Sequence, residues 1–109
     1  MKIKAIKIDV QTTFPSIYLI EMENDLDGIY EAVGCDIFER VNISGKEDLL
    51  IDEEGLLKDY KWGFSFTSEF GAMPIMGNGV IVGFNEDGEY IDCSSSLMEI
   101  CRNVKFFFI

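Results

Sequence analysis

The sequence predicts an α+β domain: a mostly antiparallel twisted sheet with two short helices packed on it. Three observations carry that prediction. An apolar run without charge, Val80 to Phe84, is followed by the turn residues Asn85–Gly88 and an alternating run, Glu89–Cys93, which is the pattern of a hairpin. Its first arm holds three consecutive β-branched residues, Val80, Ile81 and Val82, stiff at χ1 and apolar on both faces, so it is expected to be a central strand covered on both sides. Of two other stretches, Asn24–Val33 shows helical spacing and Leu97–Cys101 follows a capping-box pair.

The remaining elements follow in order. The first strand runs from Ile3 to Val10, with Ile3 and Ala5 on one parity and Ile6 and Ile8 on the other, which implies a bulge or burial on both faces. After the turn Gln11–Pro15, the run Ser16–Met22 pairs antiparallel with it across a short connection. In Asn24–Val33, Leu26, Ile29, Tyr30 and Val33 stand on one helix face, with Asn24 as N-cap and Gly34 closing the helix in the left-handed region. Asp36–Ile43 is a third strand, and Leu49–Ile51 and Leu56–Leu57 are short strands of a meander separated by the turn Asp52-Glu53-Glu54-Gly55. Lys58 to Pro74 has no firm assignment; aromatic residues alternating with Gly, Ser and Thr suit an irregular loop or a short edge strand. Ser96 and Glu99 have capping-box spacing at the head of the second helix, with Asn103 as its left-handed end. Val104–Ile109 is a final strand that has to be docked, since an exposed strand of this kind would aggregate.

Length and composition bound the class. A chain of 109 residues is one domain, 1–109, able to bury about two-thirds of the surface its unfolded form exposes. Hydrophobic content of 48% excludes intrinsic disorder despite a net charge of −11. No apolar segment has the roughly 18 residues of a membrane span, and the opening residues follow a strand pattern, so no membrane association or export is expected. Cys35, Cys93 and Cys101 are odd in number and lack C-x-x-C spacing; reduced thiols and a cytoplasmic setting fit them.

The chain contains no histidine, which removes the commonest general base near neutral pH and every Ser-His or Cys-His nucleophile arrangement. The abundance of Asp and Glu leaves a carboxylate dyad or a carboxylate metal site open, but no catalytic residue, metal ligand set or cofactor is predicted. Asp25-Leu26-Asp27-Gly28 resembles the start of a calcium loop, but Gly34 stands where the closing glutamate belongs, so helix capping explains it. Gly77-Asn78-Gly79 and Gly83 fall short of a phosphate-binding fingerprint, because these glycines open a strand and not a helix. The aromatic stretch Tyr60 to Phe70 lines either the core or an exposed recognition surface.

Twenty acidic residues against nine basic ones repel phosphate backbones and anionic lipids, so direct nucleic-acid binding is not expected and a macromolecular partner would be basic. The carboxylates crowd at Glu21–Glu31, Glu47–Asp59 and Glu86–Asp92. Either they are a solvated face, or they converge into a surface that occupies a basic groove. For that surface the candidates are Glu47, Asp48, Asp52, Glu53, Glu54, Asp59, Glu86, Asp87 and Glu89, with Trp62 and Phe64 as aromatic anchors.

The segments KIKAIKID, NDLDGIYEAVG, IDEEGLLK and GNGVIVGFNEDGEYIDCSSS resemble a small domain of unknown function spread through phages, plasmids and integrated elements of Gram-positive bacteria. The resemblance covers most of the chain and departs from the family's pattern in Lys58–Met76. It implies the company of inhibitors of bacterial defence. The expected function is therefore that of a non-enzymatic, anti-CRISPR-like inhibitor that covers the basic nucleic-acid channel of a host enzyme. The alternatives are a protein that sequesters a nucleotide signal, using Gly77–Gly83 and the aromatic stretch, and a regulatory module that forms a homodimer through a sheet edge such as Val104–Ile109.

Overall fold

A computed structural model describes all residues, 1–109. The elements in order are β1 (Lys2–Asp9), β2 (Ser16–Glu23), α1 (Leu26–Val33), β3 (Phe38–Asn42), β4 (Glu47–Asp52), a 3-10 turn (Gly55–Leu57), β5 (Trp62–Ser68), β6 (Gly71–Met76), β7 (Gly79–Phe84), β8 (Tyr90–Ile91), α2 (Leu97–Asn103) and β9 (Val104–Phe108). All strand pairs are antiparallel, and the class is α+β as the sequence predicts. The strands form two sheets, not one. The larger runs β2-β1-β7-β4-β3 with β8 also on β7, and the smaller runs β6-β5-β9.

The charge-free run β7 is the central strand, as its two-sided apolar pattern requires. Ile81 packs with Ile6, Ile8 and Leu49 against Phe64 and Phe66 of the small sheet, while Val80 and Val82 pack with Ile3, Ala5 and Leu50 against Ile29 and Val33 of α1. The molecule is thus layered as helix, six-stranded sheet and three-stranded sheet. The two parities of β1 supply these two cores, and its pairing with β2 is unbroken from Lys2↔Glu23 to Asp9↔Ser16, so burial on both faces and not a bulge explains its pattern. At Gly79 a Cβ would lie 2.7 Å from the Phe64 ring and 2.9 Å from Leu49, so the glycine brings the two sheets together. Beside it, buried Asn78 accepts from Val10 N–H (2.8 Å) and donates to Val33 O (3.1 Å) and Gln11 Oε1 (2.7 Å), joining the end of β1 to the end of α1.

Several local expectations need correction. Asp25, not Asn24, caps α1 by accepting from Gly28 N–H (2.7 Å); Asn24 donates instead to Tyr90 O. Leu26 is exposed, and Gly28, Ile29, Ala32 and Val33 form the buried face. Gly34 closes α1 at φ 80°, as expected, and α2 begins with the full Ser96/Glu99 capping box. Asn103 is not left-handed; α2 runs straight into extended Val104. Leu56–Leu57 is a 3-10 turn instead of a strand. The unassigned stretch is a hairpin, β5–β6, in which β5 is the middle of the small sheet. Phe64 and Phe66 are fully buried, each gaining roughly 1.5–3 kcal/mol of transfer free energy. Pro74 is accommodated because β6 is an edge, where its missing N–H costs no ladder bond.

Candidate partner-binding surface

The candidate residues cluster on β4 and the loops at its two ends. β4 is buried along its whole length, and its terminal carboxylates are therefore turned to internal work. Glu47, 4% exposed, accepts from Ser94 N–H (3.1 Å), Ser95 N–H (3.0 Å), Cys93 Sγ (2.9 Å) and Ser95 Oγ, clamping the segment that leads into α2. Asp52, also 4% exposed, accepts from Lys58 Nζ (2.7 Å), Tyr60 OH (2.8 Å) and Glu54 N–H (2.9 Å). Asp48 accepts from Asn42 Nδ2 (3.1 Å), with Arg40 Nε 3.9 Å away.

Burial by itself would raise the Glu47 carboxyl, but the bonds from Cys93, Ser95 and Ser94 outweigh it and hold the group below its ordinary value. For Asp52, burial is likewise outweighed, by Lys58, the Glu54 amide and Tyr60. The donors respond in turn. Burial and the Glu47 carboxylate push the Cys93 thiol up to about 12, and burial and Asp52 push the Tyr60 hydroxyl up to about 12. Burial also raises the Cys35 thiol, so neither of these cysteines is an activated nucleophile. No three Cys, Asp or Glu side chains converge in a metal-binding arrangement.

The Asp52 clamp shapes the loop 53–61. Gly55 packs against Met76 O with no room for a Cβ, which pins the turn to the start of the β6–β7 connection. The turn consequently thrusts two adjacent leucines into solvent, Leu56 at 88% and Leu57 at 83% exposure. Glu53, Glu54 and Asp59 surround them on the same loop, Glu54 half-buried and the other two exposed. Beyond Asp59 an open groove of about 460 Å³ runs between residues 10–13 and 59–62, with Thr12, Thr13, Tyr60, Lys61, Trp62 and Phe108 on its walls. Trp62 is half-buried and meets Phe108 edge to face, with ring centroids 5.1 Å apart.

One family profile matches residues 3–105, that of a domain of unknown function, DUF3846. The chain belongs to the DUF3846 family. Comparison with curated proteins and with solved structures finds no match.

Among the predicted site residues of this DUF3846 chain, Glu47, Asp48 and Asp52 are not exposed; they are clamps of the fold, and Phe64, 0% exposed, is core. Glu53, Glu54 and Asp59 lie on the loop that follows Asp52, and Asp59 and Trp62 line the same groove. Glu86, Asp87 and Glu89 are exposed but lie at the other end, in a turn organised by Asn85 Oδ1, which accepts from the Asp87 and Glu89 amides at 3.0 Å each. The register Glu47↔Gly83 and Ile51↔Gly79 places these two turns a strand length apart, roughly 20 Å. The carboxylates at 53–54 and those at 86–87 are therefore not neighbours. Gly77–Gly83 is interior and offers no phosphate cradle, since Gly79 and Gly83 are filled by Phe64, Leu49 and the Asp92 backbone. The sequence reading missed Leu56 and Leu57. The signal was present: a two-residue apolar pair between DEEG and KD is shorter than the 4–8 residues of a strand.

Proposed function

We propose that this DUF3846 protein is a non-enzymatic inhibitor from a phage or other mobile element that works in the cytoplasm by docking on a basic host nucleic-acid enzyme of the CRISPR effector type. The observation that carries this reading is the anchored turn at Leu56 and Leu57, two large apolar side chains in water beside Glu53, Glu54 and Asp59. Adjacent exposed apolar side chains beside charge suit a protein-docking patch, where the leucines supply the desolvated contact and the carboxylates select a basic rim. The net charge of −11, the lack of histidine and the high thiol pKa values at Cys35 and Cys93 favour occupation over catalysis.

The test is co-purification with candidate effectors, followed by titration at rising ionic strength. A complex that weakens with salt and loses affinity in Leu56→Ser and Leu57→Ser is the expected result. A complex indifferent to salt and to both leucines would overturn it. A second reading, sequestration of a small nucleotide signal, rests on the groove beside Trp62 and Tyr60, whose volume suits a ligand. A thermal-shift screen with cyclic and linear nucleotides distinguishes it, because a shift abolished by Trp62→Ala belongs to the groove alone.

A further inference from the structure

Four strands leave an edge open, β2, β3, β6 and β9, and three of these are guarded by carboxylates or proline. β2 carries Glu21 and Glu23, β3 carries Glu39, and β6 carries Pro74, all of which discourage another strand from adding. β9, VKFFF, has neither a carboxylate nor a proline, and its one guard is the charge of Lys105. Nor does any strand of the small sheet contain an Asp or Glu, in a chain with twenty of them. On the outer face of that sheet Ser65, Thr67, Pro74 and Met76 stand beside Lys105 and Phe107, and the Phe107 ring lies over Gly63, where a Cβ would be 2.6 Å away. This is the part of the surface where two strongly anionic molecules approach with least repulsion.

The register then selects the occupant. Ile109 N–H donates to Lys61 O, which sets the phase of the β5–β9 ladder. Lys105 and Phe107 therefore share the hydrogen-bonded pairs with β5, and Phe106 and Phe108 turn both N–H and C=O outward, as Val104 does its C=O, while the Val104 N–H is spent on Cys101 O at the end of α2. A second β9 running antiparallel about a twofold axis at Phe106 pairs Phe106 with Phe106 of the second copy through two bonds and lets the Phe108 N–H of each copy reach the Val104 C=O of the other, since the Val104 N–H stays on Cys101 O. In the same register each Lys105 falls opposite a Phe107 ring, a cation–π pair made twice. Moving the axis to Lys105 would set the two ammonium groups against each other.

We infer that this chain pairs with a second copy of itself through β9, in antiparallel register about Phe106, joining two three-stranded sheets into one of six strands. The inference is independent of the proposed function. The test is mass in solution by light scattering. Wild type is expected at twice its 12.4 kDa, with dissociation eased at low salt, where the two like-charged chains repel more strongly. Phe106→Pro removes an outward N–H that β5 does not use, and should give the monomer mass. Lys105→Glu sets two carboxylates against the aromatic faces at an exposed position that leaves the fold alone, and should weaken the dimer by about tenfold. A wild type that stays monomeric at high concentration and high salt, or a dimer that Lys105→Glu leaves unchanged, would overturn the inference.

Discussion

Glu47 and Asp52 lie at opposite ends of one six-residue strand and are equally hidden from water, yet they are satisfied by different means. Glu47 is held by neutral donors alone: two amides, a hydroxyl and a thiol. Asp52 is held by one amide, a phenol and the ammonium of Lys58, whose side chain remains 36% exposed. The first clamp seals the passage into α2 and displays nothing. The second fixes a loop and pushes two leucines outward. A buried carboxylate thus serves as an anchor in both places, but only where its partners reach the surface does it also hold apolar side chains in water.

The largest expected effect comes from removing the neutral clamp. Glu47→Ala leaves the Ser94 and Ser95 amides without an acceptor in a buried setting and should lower stability by about 3 kcal/mol in urea unfolding. Gly55→Ala comes next: its methyl would overlap Met76 O, so a loss of about 2 kcal/mol is expected together with displacement of the leucine turn, visible as altered amide chemical shifts across residues 53–61. Asp52→Asn keeps the shape but gives up the charge on Lys58 and should cost about 1–2 kcal/mol, with a reduced dependence of stability on salt. An Asp52→Asn loss exceeding that of Glu47→Ala would break the comparison.

Acidification sharpens it further. Both carboxyls are lower in the folded than in the unfolded chain, so each adds stability that is fully present above the unfolded value, about 4, and is lost as pH falls through the folded one. Stability measured against pH should therefore decline on the acid side, and more shallowly in Asp52→Asn than in wild type. The smallest expected effect is at the leucines themselves. Leu56→Ser and Leu57→Ser should change stability by less than about 0.5 kcal/mol, since both side chains are already in water, while removing partner affinity.

Much of this architecture is legible in the sequence wherever burial is written as a local pattern. The charge-free run at Val80–Phe84 announces the central strand, and Ser96 with Glu99 announces the start of α2. What stays hidden is long-range. Trp62, Phe64 and Phe66 alternate with small residues as a strand does, but only the register with Ile75 and Phe106 reveals a second sheet. The same holds for the carboxylates. Asp52 and Glu53 are adjacent acids in a turn sequence, and only the presence of Lys58 and Tyr60 around one of them separates a structural group from an available one. The distance between the turns at 53–54 and 86–87 is likewise set by strand pairing, which charge counting does not see.

Asn78 has one last consequence. Its amide serves as acceptor for Val10 and donor to Val33 and Gln11, so an isosteric aspartate would lose the donor half and face a carbonyl with negative charge. Asn78 also precedes Gly79, the pairing in which a side-chain amide is most open to attack by the next backbone nitrogen. Folding immobilises that amide on three partners, so chemical ageing at this peptide should proceed in the denatured chain and stop in the native one, making deamidation here a clock for time spent unfolded.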